Sequence, residues 1–144
     1  MKTIDRIFSL GEGVPVFKDF SLLLVRLILA YGFWSPALMK WKGLEGTAGW
    51  FESMGYPLPM VSAILAALTE ILGVILLTLG LGTRIIVLPL IFVMLIAIFT
   101  VHISNGFAAG DNGFEIPLYY ILMLFSLFAF GSGKYSVDYL LGRK

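Results

Sequence analysis

Four long apolar stretches, separated by short polar connections, dominate the pattern of the chain. They cover about residues 20–39, 61–81, 85–103 and 114–131. An α-helix rises 1.5 Å per residue, so about 20 apolar residues cross the hydrocarbon core of a bilayer. Because an open sheet would leave backbone groups unpaired in lipid, each stretch is predicted to be a helix. The pattern therefore predicts an all-α transmembrane four-helix bundle, with residues 1–144 forming a single domain.

The residues before the first stretch carry a different pattern. Ile4, Ile7 and Phe8 stand at helical spacing beside Lys2 and Arg6. This arrangement is typical of an amphipathic helix that lies on a membrane surface. A cleaved signal peptide is the alternative, but the first apolar stretch is long and no Ala-x-Ala cleavage site follows it.

The distribution of basic residues predicts the orientation of the bundle. Lys2, Arg6, Lys18, Arg84, Lys134, Arg143 and Lys144 fall on one side of the predicted spans, and only Lys40 and Lys42 fall on the other. Cytoplasmic loops carry the excess of Lys and Arg. Both termini are therefore predicted to be cytoplasmic, and the connections 41–60 and 105–113 are predicted to face outward.

Composition narrows the class of function. The chain is 59% hydrophobic and 13% charged, with a mean hydropathy of +0.96, which is too apolar for a soluble domain of this size. A formal charge of +1 without a basic, aromatic-interleaved run argues against a nucleic-acid partner. The absence of cysteine excludes dithiol exchange and cysteine-ligated iron–sulfur clusters within the chain.

Two ionisable residues interrupt the apolar stretches. Arg26 lies inside the first and Glu70 lies in the middle of the second. Charged groups in lipid are costly and face a partner or a cavity. Each span has a face of residues that recur at steps of three and four: Arg26, Ala30, Phe33, Ala37 and Lys40 on the first, and Ser62, Ala66, Thr69 and Gly73 on the second. The two spans are predicted to pack along these faces, and Arg26 is predicted to reach Glu70. Two interpretations stay open: an ion pair that only fixes helix register, or the polar floor of an outward-facing pocket in which Glu70 exchanges protons.

Further polar residues gather at the predicted outer ends of the spans. Lys40 closes the first span, His102 closes the third and Glu115 opens the fourth. Glu115 suits a helix N-terminus as a dipole-stabilising cap. His102 is either an interfacial histidine bonded to a loop carbonyl, which the sequence favours, or a proton carrier. A metal site that combines His102 with Glu70 or Glu115 has little support, because no ligand spacing requires it, and no metal site is predicted.

Aromatic residues crowd the same outer end. Trp34 and Trp41 are typical of an interfacial belt. Residues 50–55 resemble a short amphipathic helix that would cover the mouth of the bundle as a lid and offer stacking surfaces to a planar ligand. Tyr119, Tyr120 and Met123 on the fourth span either line the same cavity or pack.

Several short motifs together make the chain resemble the DoxX family of small four-helix membrane proteins. The motifs are Arg26-Leu27, Phe33, Lys40, Gly55-Tyr56-Pro57, Glu70-x-x-Gly73, Leu79-Gly80-Leu81-x-Thr83-Arg84, His102, Glu115 and Gly131-x-Gly133-x-Tyr135-Ser136-x-Asp138. Within the family, Tyr31-x-Phe33-Trp34 followed by Lys40-Trp41 is similar to the HvfX-type branch.

The resemblance implies a multi-pass protein of the bacterial inner membrane. Relatives include a quinone-reducing subunit of a thiosulfate oxidoreductase and a partner of superoxide dismutase in a membrane redox complex. HvfX-type members are encoded with copper-responsive, ribosomally made peptides. Matched positions tie Arg26, Glu70, His102 and Glu115 to family function.

The first functional hypothesis is therefore a quinone-linked component of a membrane redox complex. Glu70 and His102 would handle protons, and an external protein would donate the electrons. The predicted pocket residues are Arg26, Tyr31, Trp34, Lys40, Trp41, Glu115 and Tyr119. The alternative is a non-enzymatic accessory or assembly protein associated with copper-responsive metal-binding peptides. Besides lipid, a protein partner is expected, and a homo-oligomer stays open. Transport of a small solute is less favoured, since four spans make a small pathway.

Overall fold

The computed structural model describes residues 15–143, all of whose regular elements are helical. The helices are α1 (Pro15–Lys42), α2 (Leu44–Ser53), α3 (Pro59–Leu79), α4 (Thr83–Ala97), α5 (Glu115–Phe130) and α6 (Val137–Leu140). The predicted amphipathic helix at Ile4, Ile7 and Phe8, and the signal-peptide alternative to it, lie outside the described residues. The all-α membrane bundle is confirmed.

Three helices are long and apolar enough to cross a membrane. They are α1, α3 and α4, the last extended through a π-helical turn at Ile98–His102 and a 3-10 turn at Ile103–Asn105. The fourth apolar helix, α5, has 16 residues and is about 24 Å long. It is shorter than a hydrocarbon core of about 30 Å, which a thinned or locally drawn-in bilayer accommodates at modest cost.

The bundle is built from two helix pairs, α1 with α3 and α4 with α5. Arg26, Ala30, Phe33 and Ala37 of α1 are all buried, as their helical spacing predicts. On α3 the buried face is not the predicted one of Ser62, Ala66 and Thr69, which instead line a cavity. The buried face is the adjacent row Ala63, Ala67, Glu70, Val74 and Leu77.

We call the end where α1 begins and α3 stops the inner end of the bundle. Both ends of the described chain meet there, because the Asp19 carboxylate accepts a hydrogen bond from the Lys134 backbone N–H at 3.1 Å. The exposed cations Lys18 and Arg84 lie at the same end, over the Phe130 ring and against the Ala129 carbonyl respectively. The inner end is therefore the basic end, which the charge rule predicts to be cytoplasmic.

Arg26 is completely buried at the inner end and does not pair with Glu70. Its Nη1 donates to the carbonyls of Leu77 at 3.0 Å and Thr78 at 3.4 Å, and its Nη2 donates to the carbonyl of Tyr135. The last carbonyls of a helix lack partners within the helix and carry partial negative charge. The predicted ion pair between Arg26 and Glu70 is wrong, because Arg26 satisfies the end of α3 and joins it to the C-terminal segment.

The Asp138 carboxylate completes this inner-end junction. Its two oxygens accept the backbone N–H groups of Gly82 at 2.9 Å and Thr83 at 3.1 Å, which open α4. Between α3 and α4, Gly80 adopts φ +67, and a Cβ there would collide with the Arg26 guanidinium and the Ser136 side chain. A glycine is therefore required at position 80 for two reasons, the left-handed backbone and the close approach of Arg26.

Replacing Arg26 by methionine is expected to destabilise the protein strongly. The variant leaves the carbonyls of Leu77 and Tyr135 without a charged donor, at a cost in unfolding free energy of about 3 kcal/mol or more. The matched control is Arg84→Met at the same end, where an exposed side chain reaches one carbonyl at 3.3 Å. Its loss is expected to be below about 1 kcal/mol. Equilibrium unfolding in mixed micelles, followed by circular dichroism, measures both, and equal losses would contradict the structural role assigned to Arg26.

Candidate functional site

A cavity of about 1020 Å³ lies between the outer halves of the four long helices. All four helices contribute to its lining. The lining residues include Phe33 and Lys40 of α1; Ala66, Thr69 and Glu70 of α3; Val93, Ala97 and His102 of α4 and its extension; and Tyr120 of α5. Most of the lining is aliphatic or aromatic. Its volume is at the upper end of the range found for small-molecule sites in proteins.

Small residues on one face of α3 create the cavity. Ser62, Ala66, Thr69 and Gly73 recur at steps of three and four, so they share a face that looks toward α4. At the inner end of this face, a Cβ on Gly73 would lie 2.8 Å from the Leu90 side chain, so the two helices touch there. Farther out, Ala66 and Thr69 face the cavity instead. The α3 and α4 faces thus meet near Gly73 and enclose space beyond it.

The polar floor of the cavity is an ion pair between Lys40 and Glu70. Lys40 Nζ donates to Glu70 Oε1 at 3.0 Å and to Oε2 at 2.8 Å. The Glu70 side chain is 2% exposed and that of Lys40 is 21% exposed. Charges buried in a medium of low dielectric persist only when they are paired and hydrogen-bonded. An ammonium has three N–H donors, so one N–H of Lys40 remains for a ligand after both carboxylate oxygens are satisfied.

The direction of helical side chains explains why Glu70 meets Lys40 and not Arg26. A side chain tilts toward the N-terminus of its own helix. Because α1 and α3 are antiparallel, Glu70 tilts outward whereas Arg26 tilts inward, so these two diverge. Lys40, at the outer end of α1, tilts inward and converges on Glu70.

His102 lines the cavity where the π-helical turn of the α4 extension ends. Its Nδ1 lies 2.9 Å from the backbone carbonyl of Asn112. A carbonyl only accepts, so Nδ1 carries the hydrogen and Nε2 is the acceptor atom of the neutral ring. This hydrogen bond to a loop carbonyl is the one predicted for an interfacial histidine. Because His102 also lines the cavity, the proton-carrier role stays a prediction.

Residues 50–55, which were predicted to form a lid, are the last turn of α2 and the start of the loop that follows it. Phe51 is 6% exposed and packs with Ala48 and Ala63, while Trp50 and Tyr56 border the cavity. The Tyr56 hydroxyl is hydrogen-bonded to the Thr100 hydroxyl, which links this loop to the extension of α4. The Tyr56–Thr100 hydrogen bond therefore bridges the outer end of the cavity, and the outward-facing opening stays a prediction.

Several predicted pocket residues lie elsewhere. Arg26 is at the inner end, and Tyr31, Trp34 and Trp41 are exposed side chains of α1 that do not line the cavity. Glu115 accepts the Ala109 backbone N–H at 2.9 Å and the Tyr119 hydroxyl at 3.1 Å, so these two side chains organise the outer connection. Of the predicted residues, the structure brings together Lys40, Glu70 and His102.

Tyr120 lines the cavity, which is one of the two roles predicted for it. The other was packing within the bundle. Its ring meets Phe33 edge to face at 5.3 Å between centroids. A Cβ on Gly32 would overlap the Tyr120 hydroxyl, so Gly32 allows α5 to approach α1.

Thr100 was not predicted as a cavity residue, because a hydroxyl near the end of an apolar stretch gives no signal of its own. Among residues 15–143, no group of three His, Asp or Glu side chains could hold a metal ion.

Comparisons with known proteins agree with this architecture. The model of the DoxX family matches residues 21–103. An "Uncharacterized protein" of Haemophilus influenzae is 32% identical over 137 residues, covering 92% of this chain and 87% of the relative. No solved structure matches the chain significantly.

Two further relatives have more informative names. The "Putative oxidoreductase CatD" of Bacillus subtilis is 35% identical over 112 residues, which cover 76% of this chain and 78% of the relative. The "Inner membrane protein YphA" of Escherichia coli is 34% identical over 110 residues, which cover 74% of this chain and 76% of the relative. The protein is thus a multi-pass inner-membrane protein, and it belongs to the DoxX family.

Proposed function

We propose that the protein is a quinone-linked component of a membrane redox complex and that the cavity binds the quinone head group. The observation that carries the proposal is the Lys40–Glu70 ion pair at the floor of an otherwise apolar cavity. A quinone is a flat apolar ring with two carbonyl oxygens. It suits aromatic walls that include Phe33, Trp50 and Tyr120, and a single N–H donor at the floor. The relative named as an oxidoreductase supports the same class of function.

The charge of the site favours a neutral ligand. Glu70 neutralises Lys40, so the pair has no net charge to attract an anion. The remaining N–H of Lys40 can still donate to a carbonyl oxygen. Hydrogen bonds from a charged donor are about twice as strong as neutral ones and stronger still away from water. A neutral carbonyl compound is therefore the class of ligand that this floor recognises best.

Reduction of a quinone to a quinol takes two electrons and two protons. In this proposal a partner protein with its own redox cofactor supplies the electrons, and the chain itself has no cysteine for dithiol exchange. One proton passes from the Lys40 ammonium, which Glu70 stabilises, to the oxygen it contacts. Glu70 then takes up a proton that arrives from the outer water and passes it to Lys40, which restores the ion pair. His102, beside the outer connection, delivers the second proton and takes up protons from the outer water. Glu70 and His102 thus keep the proton-handling roles proposed for them, and Lys40 becomes the residue that touches the quinone.

The alternative function, an accessory or assembly protein for copper-responsive metal-binding peptides, stays a prediction. It expects a stable complex with a partner and no bound quinone. The experiments below therefore separate it from the redox proposal.

Quinone binding is expected to quench Trp50 in a saturating manner. The protein has three tryptophans, each about half exposed, and of the three only Trp50 lines the cavity. A Trp34→Phe/Trp41→Phe variant therefore reports on the cavity alone. The matched control, Trp50→Phe, keeps the other two and is expected to show only linear, collisional quenching. Fluorescence titration in lipid nanodiscs measures both, and the same linear quenching in the two variants would refute binding in the cavity.

Glu70→Gln is expected to separate binding from chemistry. The amide keeps the size of the side chain and a hydrogen bond with Lys40, but it can no longer carry a proton or balance the ammonium. Quinone quenching of Trp50 should persist, while quinone reduction in membranes that contain the natural partners falls about 100-fold. Glu52→Gln, an exposed carboxylate of α2, is the control and should leave the rate unchanged. Full activity of Glu70→Gln would show that the carboxylate is only structural.

A further inference from the structure

We propose that the ligand reaches the cavity sideways from the lipid, so that the quinone is one with a long isoprenoid tail and the tail lies in a gap between the outer halves of α3 and α4. This inference rests on the proposed function, because it names the class of quinone and the path it takes. Three features of the structure carry it: the divergence of α3 from α4, the partly covered outer end, and two exposed apolar side chains on the cavity wall.

The gap follows from the α3–α4 junction. The two helices are joined at the inner end by the short turn at Gly80–Gly82. They remain in contact as far as Gly73 of α3 and Leu90 of α4. A Cβ on Gly73 would lie 2.8 Å from a carbon of the Leu90 side chain. Beyond this point the facing residues of both helices, Thr69 and Val93 among them, line the cavity. A pair of helices that is tied at one end and apart at the other leaves a wedge open along its side.

The water-facing end of the wedge is partly covered. The Tyr56–Thr100 hydrogen bond crosses it, and Trp50 and Pro57 border the cavity at the same end. Phe51 anchors this cover by burial against Ala63. A ligand that entered from the outer water would have to displace these contacts.

The lipid-facing side of the wedge is apolar and accessible. Leu65 on α3 is 59% exposed and Phe92 on α4 is 63% exposed, and both residues line the cavity. Leu65 is six residues from the outer start of α3, or about 9 Å along the helix. Phe92 is nine residues from the inner start of α4, or about 13 Å. Both lie at depths occupied by lipid chains, so this opening faces the bilayer and not water.

The two ends of the cavity therefore call for one molecule with two parts. The Lys40–Glu70 floor fits a carbonyl head group, and the opening at Leu65 and Phe92 fits an apolar chain that continues into the bilayer. An isoprenoid quinone has both parts joined in this order.

The test compares a long-tailed isoprenoid quinone with a benzoquinone of the same ring substitution that has no tail. The protein is reconstituted in phospholipid vesicles with each quinone at equal mole fraction in the membrane, and retained quinone is measured by native mass spectrometry. Leu65→Trp narrows the opening. The matched control is Leu72→Trp, which lies two turns along α3, is 48% exposed and does not line the cavity. Circular dichroism verifies that both variants fold.

Leu65→Trp is expected to lower retention of the long-tailed quinone about tenfold, since overpacking at the opening opposes the tail but not the ring. The tail-less quinone should change less than about twofold by the same reasoning, and Leu72→Trp should affect neither. Equal losses for the two quinones, or no loss for either, would overturn the lateral path and leave the proposed function standing. The lateral path would also be overturned if Leu65→Trp lost a bound phospholipid or a second copy of the chain and kept its quinone. Failure of the wild type to retain any quinone would instead refute the proposed function together with this inference.

Discussion

The antiparallel contact between α1 and α3 is fastened at both ends by cations of α1, and the rest of the structure depends on it. At the inner end Arg26 donates to the terminal carbonyls of α3, and at the outer end Lys40 binds Glu70. In lipid the hydrophobic effect does not drive helices together, so polar contacts and close packing must do so. Two such contacts about fourteen residues apart on α1 fix both the register and the separation of the helices. α4 and α5 then pack against a framework whose geometry is already set.

The cavity is a consequence of this arrangement. With α3 held against α1 by its Ala63, Ala67 and Glu70 row, the adjacent row of small residues is left facing α4. Gly73 lets α4 approach closely at the inner end, where the Asp138 carboxylate holds the first turn of α4. At the outer end the regular winding of α4 changes to a π-helical turn, and the Tyr56–Thr100 hydrogen bond links this turn to the loop after α2. Such turns are frequent at functional sites. Here the turn places His102 on the cavity wall.

The sequence predicts the class of fold well because its strongest signal is simple. Apolar stretches of membrane-spanning length, and the excess of basic residues on one side, are properties of the linear chain. The α1 face of Arg26, Ala30 and Phe33 followed from helical periodicity alone. Lys40, Glu70 and His102 could also be picked out, since a polar residue within or at the end of an apolar stretch is conspicuous.

The partners of these residues could not be predicted in the same way. Opposite charge made Arg26 the expected partner of Glu70. The side chains of antiparallel helices tilt in opposite directions, however, so Arg26 and Glu70 diverge and Glu70 pairs with Lys40. Arg26 could have been assigned to backbone carbonyls only by knowing that α3 ends beside it. The row of α3 that packs on α1 was misplaced by one residue, because small residues occupy both rows. Tyr31 and Trp41 were expected at the cavity, but both are exposed side chains of α1, and aromatic character is equally suited to contact with lipid.

In the proposed function, the neutral, buried ion pair lets this chain assist redox chemistry whose electrons come from a partner protein. Reduction adds negative charge to a quinone oxygen, and in a medium of low dielectric that charge is stabilised only by a donor already in position. Lys40 is held in position by both oxygens of Glu70, so little reorganisation is needed when an electron arrives. Before reduction the Glu70 carboxylate neutralises the Lys40 ammonium, so the apolar cavity holds no unpaired charge at this site. Glu70 therefore acts by making a cation tolerable in the place where an anion will form.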